Sequence, residues 1–378
     1  MRIALLSPYD TGSHYSWLVG YQQHSGYDVT PLTLQGQFWK WRMHGGAVTL
    51  ARHYREQAAA ADLLLATDML DLTTFLALTR EATHNLPVAL YMHENQLTYP
   101  MRPGETRDLH YAFINYASML CADAIFFNSD YHRQAWFDEL PRLLKHFPDY
   151  NELNTIPLLQ ERSRVLPLGL DLAALDAHRP DEPRSGPLLI VWNHRWEYDK
   201  NPGPFFRALY ALQERGLDFR VAVLGEHFVR VPPEFDEAHE RLADRIVQFG
   251  YAESRAAYAR WLWRADVVVS TAIHEFFGAA VVEALYCDCY PLLPNRLTYP
   301  QFIPADDRAV CLYDDDDALI ERLAWAATHV DVVRGHSWRD TVKRYDWGAM
   351  APVYDAALAQ VAASRQTRGC QSATACES

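Results

Sequence analysis

Two glutamates eight residues apart are the part of this sequence best suited to chemistry. Glu275 and Glu283 flank Gly278 in the stretch STAIHEFFGAAVVEALYC. A valine-rich run at 266–270 predicts a buried parallel strand, and residues 279–285 predict the helix that follows it. In such a βαβ unit, ligands bind outside the carboxyl ends of the strands, and a helix N-terminus offers free backbone N–H groups to a phosphate.

This arrangement gives Gly278 and Glu283 separate roles. Gly278 permits close backbone approach to a ligand, and Glu283 is placed to accept hydrogen bonds from a ribose diol. The alternative is that Glu283 is a solvated helix residue and Glu275 a loop charge, which is the usual state of a single glutamate. The apolar surroundings, which include Phe276 and Val281, favour a binding site.

A second cluster of charges follows another predicted strand in VWNHRWEYDKNP. Arg195 and Lys200 are five residues apart in this loop. Two cations at the carboxyl end of a strand suit a diphosphate, because they neutralise the charge that develops on a leaving group. The alternative is a surface pair matched to Glu197 and Asp199.

Two loops in the first half carry further polar groups. His93 follows the strand LPVALYM and precedes Glu94 and Asn95, so it is a candidate for hydrogen bonding to a substrate hydroxyl. A histidine that only caps the strand is the alternative. In SPYDTGSH, Gly12 and Ser13 could let the backbone approach a ligand, although the loop has no Walker lysine.

The elements that must position these groups alternate between short apolar strands and helical patterns. This alternation predicts an α/β protein with two doubly wound domains. The predicted strands are 3–7, 63–66, 88–92, 124–128 and 165–168 in the first half, and 188–193, 219–224, 246–249, 266–270, 289–293 and 310–313 in the second. The loops at 225–228 and 249–251 end consecutive strands and could enclose a nucleotide base, although core packing is an alternative for Phe249.

The domain boundaries follow from composition. Residues 176–187, DAHRPDEPRSGP, predict a linker, so the N-terminal domain is expected at 1–175 and the C-terminal domain at 187–345. A last helix at 346–363 is expected to cross back onto the first domain. Residues 364–378 are small and polar and predict a disordered tail.

The overall composition describes a soluble globular protein. The chain has 378 residues, 49% of them hydrophobic and 22% charged, with no long apolar run or signal peptide pattern, so we expect a cytoplasmic protein without a membrane partner. The six cysteines lack the spacing of a disulfide framework or zinc site. A net charge of −13 disfavours indiscriminate nucleic acid binding but allows a local basic face, such as Trp39, Lys40, Trp41 and Arg42. Ordinary solvated loops are the alternative for such clusters.

Together these motifs resemble a known family. Arg195, Lys200 and the spaced pair Glu275 and Glu283 resemble retaining GT-B glycosyltransferases of the family 4 type, in which two Rossmann-like domains face each other across a cleft. The resemblance then narrows to the tRNA-queuosine mannosyltransferase family and extends to about residue 360. The segments that carry it are GSH at 12–14, WKWR at 39–42, YMHENQLTYP at 91–100, FNS at 127–129, VWNHRWEYDKNP at 191–202, VLGEHF at 223–228 and STAIHEFFGAAVVEALYCDCYP at 270–291.

The resemblance implies GDP-mannose as donor and a tRNA carrying queuosine at the wobble position as acceptor, with no metal and no other cofactor. The catalytic residues that it implies are His93, Glu275, Arg195 and Lys200. The donor-binding residues that it implies are Gly12, Ser13, Arg195, Lys200, Gly278, Ala279 and Glu283. In these roles the two cations hold the diphosphate, Glu283 the ribose, Glu275 the sugar hydroxyls, and His93 the transferred sugar.

The acceptor side carries seven expected contacts. They are His14, Trp39, Lys40, Arg42, Glu94, Asn95 and Gln96. Two other functions stay open at this point. One is the same class of transferase with a different nucleotide sugar or with a lipid, glycan or small-molecule acceptor, and the other is a non-catalytic protein that binds sugar nucleotides or tRNA.

Overall fold

The chain forms two compact units. The computed structural model describes residues 1–57, 60–101, 104–226 and 232–375, with side chains described as far as Ser364. The first unit contains Met1–Leu170 and the chain from Trp347 onward, and the second contains Asp171–Asp346. The predicted tail at 364–378 lies, apart from Ser364, outside the residues whose side chains are described.

The first unit is a parallel sheet of six strands with helices between them. Its strands are β1 (Arg2–Asp10), β2 (Asp28–Gln35), β3 (Leu63–Thr67), β4 (Val88–Met92), β5 (Ala124–Phe127) and β6 (Ser163–Val165). Its helices are α1 (Gly12–His24), α2 (Trp39–Gln57), α3 (Leu72–Thr83), α4 (Leu109–Cys121), α5 (Asp130–Leu144) and α6 (Ile156–Arg162), with α15 (Trp347–Ala375) from the end of the chain.

The order of these strands decides where polar loops meet. The order is β2-β1-β3-β4-β5-β6, so the direction of winding reverses between β1 and β3. Strands β3, β4 and β5 are almost wholly buried, as their apolar sequences predict. Ligands of doubly wound sheets bind outside the carboxyl ends of the strands at such a reversal. The loops that contain Gly12 and Asp68 leave β1 and β3 at this point.

The second unit repeats the plan. Its strands are β7 (Leu188–Asn193), β8 (Phe219–Leu224), β9 (Ile246–Gly250), β10 (Val267–Val269), β11 (Tyr290–Pro294) and β12 (Leu312–Tyr313). Its helices are α7 (Pro202–Glu214), α8 (Glu234–Arg241), α9 (Arg255–Arg264), α10 (Ala279–Tyr286), α11 (Arg308–Cys311), α12 (Asp316–Thr328), α13 (Val330–Gly335) and α14 (Arg339–Val342). The order β12-β11-β10-β7-β8-β9 places the reversal between β7 and β10.

Two strands of the first unit differ from the sequence-based prediction. Strand β2 was not predicted, because Pro31 interrupts its pattern; the strand lies at the sheet edge, where a missing N–H is tolerated. The last strand, predicted at 165–168, is instead β6, which ends at Val165. Pro167 has no N–H to continue the ladder.

The segment predicted as a linker, 176–187, packs within the second unit. Asp176 accepts hydrogen bonds from Arg339 and from Tyr286, the latter at 3.0 Å. Arg184 donates to the carbonyl oxygens of Trp263 and Asp288. The chain therefore passes between the units at Leu170 and Asp171, several residues before this segment.

Helix α15 is bound to the first unit by buried aromatic and charged groups. The indole of Trp347 lies against the backbone of Gly20 and Gly169, where an added Cβ would come within 2.5 Å of its ring. The carboxylate of Asp355 accepts hydrogen bonds from the Tyr21 hydroxyl at 2.8 Å, the Ser25 hydroxyl at 2.6 Å and the Gly26 N–H at 2.7 Å. Within the described chain, no helix combines the length and apolar character needed to cross a membrane.

Replacement of Asp355 by alanine should loosen this attachment. Three hydrogen bonds to one carboxylate are lost and the Tyr21 hydroxyl is left buried, so we expect the free energy of unfolding to fall by about 2 kcal/mol. The melting temperature should fall by about 4–8 °C for a unit of this size. Thermal unfolding of Val353→Ala, an exposed position on the same helix, provides the control. Equal melting temperatures for wild type and Asp355→Ala would contradict the attachment.

Candidate functional site

The loops after β7 and β10 are joined at the reversal point of the second sheet. The Thr271 hydroxyl donates to the carbonyl of Lys200 at 3.0 Å, and the N–H of Ile273 donates to the carbonyl of Asp199 at 2.9 Å. Adjacent strands bring these loops together, and these hydrogen bonds fix them against each other. The sequence-predicted residues Lys200 and Glu275 meet here.

Lys200 is a buried cation between two carboxylates. Its Nζ lies 3.1 Å from Glu275 Oε2 and 3.2 Å from Asp199 Oδ2, and it donates to the carbonyl of His274 at 3.0 Å. Its side chain is 8% exposed. Burial opposes its charge, but the attraction of Glu275 and Asp199 is stronger and raises the pKa of Lys200. The lysine is therefore charged over the whole physiological range.

Glu275 is ionised in the same cluster. Burial opposes its charge, but Lys200 and then His194 outweigh this and lower the pKa of the carboxyl. Burial and the neighbouring Lys200 lower the pKa of His194 to about 4, so His194 is neutral near pH 7. Glu275 therefore presents a carboxylate that can accept hydrogen bonds.

Arg195 lies at the edge of this cluster. Its side chain is 50% exposed, and Nη2 lies 3.3 Å from Glu197 Oε2. Its charge also repels that of Lys200 and so offsets part of the rise in the pKa of Lys200. The two predicted cations thus act within one electrostatic environment, one buried and one open to solvent.

The N-terminus of α10 completes this side of the site. Gly278 caps the helix with φ +88°, a conformation that favours glycine. A Cβ at Gly278 would lie 3.6 Å from the Cγ of Glu275, so the first turn of α10 and the carboxylate are neighbours. The backbone N–H of Ala279 at the start of this helix is among those with no partner within the helix itself.

Glu283 is held by two donors from α9. Arg255 Nη2 donates to Oε1 at 2.6 Å, and the Tyr258 hydroxyl donates to Oε2 at 2.8 Å. Asn193 Nδ2 lies 3.0 Å from the same hydroxyl and 2.8 Å from the carbonyl of Ala280. The carboxylate is thus fixed beside the end of β7, one helical turn from the backbone N–H groups at the N-terminus of α10.

A cavity of about 220 Å³ adjoins this network. The residues that line it are Asn193, Leu224, Gly225, Tyr251, Ala252, Ser254, Arg255 and Tyr258. Gly225 and Tyr251 belong to the two loops that were predicted to enclose a base, whereas Phe249 packs on Trp196 at 4.7 Å. His227 and Phe228 of the first predicted loop lie outside the described residues. Among the described residues, Asn193 Oδ1 is buried with no hydrogen-bond partner, so an acceptor adjoins the cavity.

At the reversal point of the first sheet, His93 meets two groups from neighbouring strands. Its ring lies 4.4 Å from the ring of His14, and its Nδ1 lies 3.4 Å from Asp68 Oδ1. The same oxygen accepts a hydrogen bond from the backbone N–H of His93 at 2.9 Å. All three side chains are buried. Asp68 therefore holds His93 through a hydrogen bond to its backbone N–H, while the ring Nδ1, 3.4 Å away, makes no hydrogen bond to the carboxylate.

The protonation of this group is set by burial. Burial lowers the pKa of His93 to about 3 and raises the pKa of Asp68 to about 6. His14, Asp68 and His93 each bring one ligand-type atom within 4.8 Å of the others, as a metal site requires. The two imidazole planes are tilted by 37°. Within the described residues both ring nitrogens of His93 are buried without a hydrogen-bond partner, so they can bind polar groups of a ligand.

The loop after His93 is fixed by its own polar groups. Asn95 Oδ1 accepts from the N–H groups of Leu97 and Thr98 at 3.0 and 2.8 Å, so this oxygen stabilises the turn. Gln96 donates to the Glu94 carboxylate at 2.9 Å. The predicted acceptor contacts Glu94 and Gln96 are half-buried, and Asn95 is fully buried.

The remaining predicted residues of the first unit are solvent-facing. Gly12 has φ +55° and begins α1, with no atom within 4 Å of an added Cβ, and Ser13 is exposed beside it. Trp39 and Lys40 are exposed at the start of α2. Arg42, half-buried, donates from Nε to the carbonyl of Gln35 at 3.0 Å.

Comparison with known proteins decides the family. Residues 2–170 match the family model of the tRNA-queuosine alpha-mannosyltransferase N-terminal domain, and residues 176–329 match that of the glycosyl transferases group 1. A tRNA-queuosine alpha-mannosyltransferase of Drosophila melanogaster is 31% identical over 332 residues, which are 85% of this chain and 86% of the relative. The chain belongs to the tRNA-queuosine alpha-mannosyltransferase family. The resemblance carried by the HENQ and HEFFG motifs is thereby confirmed.

More distant relatives fit the same class. A GDP-mannose-dependent alpha-(1-6)-phosphatidylinositol dimannoside mannosyltransferase of Mycobacterium tuberculosis is 25% identical over 207 residues, 53% of each protein. Sucrose-phosphate synthase of Thermosynechococcus elongatus superposes with a TM-score of 0.71 at 14% identity and covers 96% of this chain and 100% of its own. The Anabaena protein HepE, in complex with UDP, gives a TM-score of 0.65 at 13% identity, with coverage of 95% and 100%. The predicted GT-B α/β class is confirmed.

Sequence reasoning missed several residues of these two sites. Asn193 and His194 lie inside a motif that the sequence had identified, and their burial at the strand end is what distinguishes them. Tyr258 and Arg255 come from a helix with no motif, so only the fold brings them to Glu283. Asp68 follows β3 as His93 follows β4, and this strand-end position was the available signal.

The two cations should respond differently to replacement. Arg195→Ala removes a cation that is expected to neutralise the leaving diphosphate, so turnover should fall about a hundredfold, or roughly 3 kcal/mol in transition-state stabilisation. Because the side chain of Arg195 is half exposed, the melting temperature should not change. Lys200→Ala should also destabilise the second unit by roughly 3–5 kcal/mol, because Asp199 and Glu275 are left buried without a cation.

Initial rates and thermal unfolding of both variants test this difference. Arg207→Ala provides the control, since Arg207 is an exposed arginine that pairs with Asp316. Wild-type turnover of Arg195→Ala would remove this residue from the diphosphate site, and a wild-type melting temperature of Lys200→Ala would contradict the buried cluster.

Stability should depend on pH through Asp68. Its pKa of about 6 lies above the value of 3.8 for the unfolded chain, so its contribution is fully present below pH 3.8 and is lost as the pH rises through 6. The free energy of unfolding at pH 7 minus that at pH 4, measured with denaturant, should be more positive in Asp68→Asn than in wild type, because the opposite contribution from the lowered pKa values of His93 and His194 is common to both proteins. Asp62→Asn should make this difference in the free energy of unfolding more negative than in wild type, because Arg2 lowers the pKa of Asp62. The same difference in wild type and Asp68→Asn would contradict the raised pKa of Asp68.

Proposed function

We propose that this chain transfers mannose from GDP-mannose to the cyclopentene diol of queuosine in tRNA, with retention of configuration at the sugar carbon. Its membership of the family supports the reaction class. The observation that carries the proposal is the convergence of Lys200, Glu275 and the N-terminus of α10 beside a fixed Glu283 and an adjoining cavity. These groups match the successive parts of a nucleotide sugar.

The diphosphate is assigned to Arg195, Lys200 and the first amides of α10. The charge of Lys200 is already balanced by two carboxylates. The solvent-facing Arg195 and the backbone N–H groups of Gly278 and Ala279 therefore supply the further positive potential that binds an incoming diphosphate. Since these cations neutralise the leaving group, we propose that the transfer needs no metal ion.

The nucleoside is assigned to Glu283 and the cavity. Arg255 and Tyr258 fix both oxygens of Glu283, which leaves lone pairs to accept hydrogen bonds from a ribose diol. The base is placed in the cavity that Tyr251 and Arg255 help to line. The GDP-mannose dependence named for the mycobacterial relative supports guanine and mannose.

The sugar hydroxyls are assigned to Glu275, and His93 is proposed as a further group that hydrogen-bonds to substrate. Glu275 is an ionised acceptor for sugar hydroxyls, and His93 is a neutral imidazole that can donate or accept a hydrogen bond above about pH 3. In the reaction the bond between the sugar carbon and the phosphate oxygen breaks. The acceptor hydroxyl oxygen bonds to the same face of that carbon, and its proton passes to the leaving diphosphate.

Nucleoside mass spectrometry tests the activity. We expect that tRNA containing queuosine, incubated with the chain and GDP-mannose, gains a hexose on queuosine, whereas tRNA with unmodified guanosine at the wobble position gains none. UDP and ADP sugars are the matched donors. A hexose on a lipid or small-molecule acceptor but none on queuosine would reject the acceptor, and transfer from a UDP sugar alone would reject the donor.

A thermal shift panel separates catalysis from binding. GDP at a hundred times its dissociation constant adds roughly 2.7 kcal/mol of stability to the folded chain, so GDP should raise the melting temperature and ADP should not. If GDP-mannose stabilises the chain but neither transfer nor donor hydrolysis occurs, the chain is a binding protein and the proposed activity is wrong.

A further inference from the structure

We propose that Phe38 and Trp41 form a stacking platform for unpaired bases of an RNA acceptor. This inference rests on the proposed function, which supplies the reason for an RNA partner, and adds two aromatic residues with no assigned role. Their side chains are 77% and 62% exposed, although burial of such rings in the protein would be favourable. Single-stranded nucleic acid is bound by aromatic rings of this kind, because every base has a π-face.

The backbone of Phe38 and the ring of Trp41 are held in place before any ligand arrives. The carbonyl of Phe38, a residue with φ +50°, accepts hydrogen bonds from the N–H groups of Trp41 at 2.8 Å and Arg42 at 3.1 Å. The Trp41 ring lies against the backbone of Gly45, where an added Cβ would come within 2.5 Å of it. One ring face is therefore supported by the helix, and fixed rings lose little conformational entropy when a base stacks on them.

The charge around the platform fits a polyanion. Residues 29–55 contain no aspartate or glutamate, although the whole chain has a net charge of −13. Lys40, the residue before Trp41, has its Nζ 5.6 Å from the Trp39 ring and 5.9 Å from the Tyr111 ring, so a cation lies against the neighbouring aromatic residues. An RNA backbone is attracted here and repelled by the acidic chain in general. This charge favours RNA over a purely apolar partner.

Aromatic contacts connect Trp39, which lies between Phe38 and Trp41 in the chain, to the His93 site. Trp39 lies 5.1 Å from Tyr111, and Tyr111 packs in a small cluster that includes Tyr9. Tyr9 in turn lies 5.8 Å from His14, whose ring lies 4.4 Å from that of His93. A single-stranded loop of RNA has neighbouring bases that can be splayed onto such a surface while one nucleotide enters a pocket.

RNA affinity of ring variants tests the platform. The probe is a fluorescent anticodon stem-loop RNA without queuosine, so that binding is measured independently of transfer. Phe38→Ala and Trp41→Ala should each raise the dissociation constant about tenfold or more. Trp41→Phe should stay close to wild type, and Gly45→Ala should weaken binding because its methyl group displaces the Trp41 ring.

Trp325→Ala, which removes a half-exposed tryptophan of the second unit, should bind RNA as wild type does. The stabilisation by GDP checks that each variant is folded and retains its donor side. Unchanged RNA affinity in both Phe38→Ala and Trp41→Ala would overturn the platform, as would a wild-type chain that does not bind the RNA. A dimer that these two variants dissociate, with RNA affinity unchanged, would assign the surface to a second copy and also overturn it.

The outcome is separable from that of the proposed function. If wild type binds the stem-loop through Phe38 and Trp41 but adds no hexose to queuosine, the platform stands and the transferase assignment fails. If hexose transfer occurs and the ring variants bind RNA normally, the transferase assignment stands and the platform fails.

Discussion

The buried cation of Lys200 is the interaction on which the second unit's site depends. Its ammonium group lies within 3.2 Å of two carboxylates and donates to a backbone carbonyl. Without the cation, the loops after β7 and β10 would bring Asp199 and Glu275 together as two buried negative charges, which is strongly unfavourable. The topology places these loops side by side, and Lys200 allows them to stay there with their charges intact.

This cluster also explains why a second cation is needed. One lysine and two carboxylates sum to a negative charge, which would repel a diphosphate. Arg195, whose side chain is half exposed beside Glu197, and the N-terminus of α10 bring positive potential to the same place. The sequence treats Arg195 and Lys200 as equivalent members of one motif. The structure separates them into a buried cation that fixes Glu275 and a second cation that is half exposed.

Much of the fold could be predicted from the sequence, because buried parallel strands have a strong apolar pattern. Glu275, Gly278 and Glu283 could also be found, since their spacing follows from one strand, one loop and one helix. Strand β2 escaped because an edge strand tolerates Pro31. Tyr258 and Asp68 escaped for a different reason: their roles depend on contacts between elements distant in sequence, and no local pattern encodes such contacts.

The two sheets apply one topological rule to different chemistry. In the second, the reversal of strand order brings Arg195 and the N-terminus of α10 beside the Lys200 cluster, and their positive potential suits a ligand that carries negative charge. In the first, the same kind of reversal gathers His14, Asp68 and His93 in a dry environment that keeps His93 neutral and makes Asp68 hold its proton more tightly. Hydrogen bonds between neutral groups and hydroxyl groups depend strongly on direction, whereas the attraction between opposite charges acts over longer distances. For the proposed contact between His93 and a substrate hydroxyl, this burial matters in itself, because an exposed histidine at this position would change its charge within the physiological range.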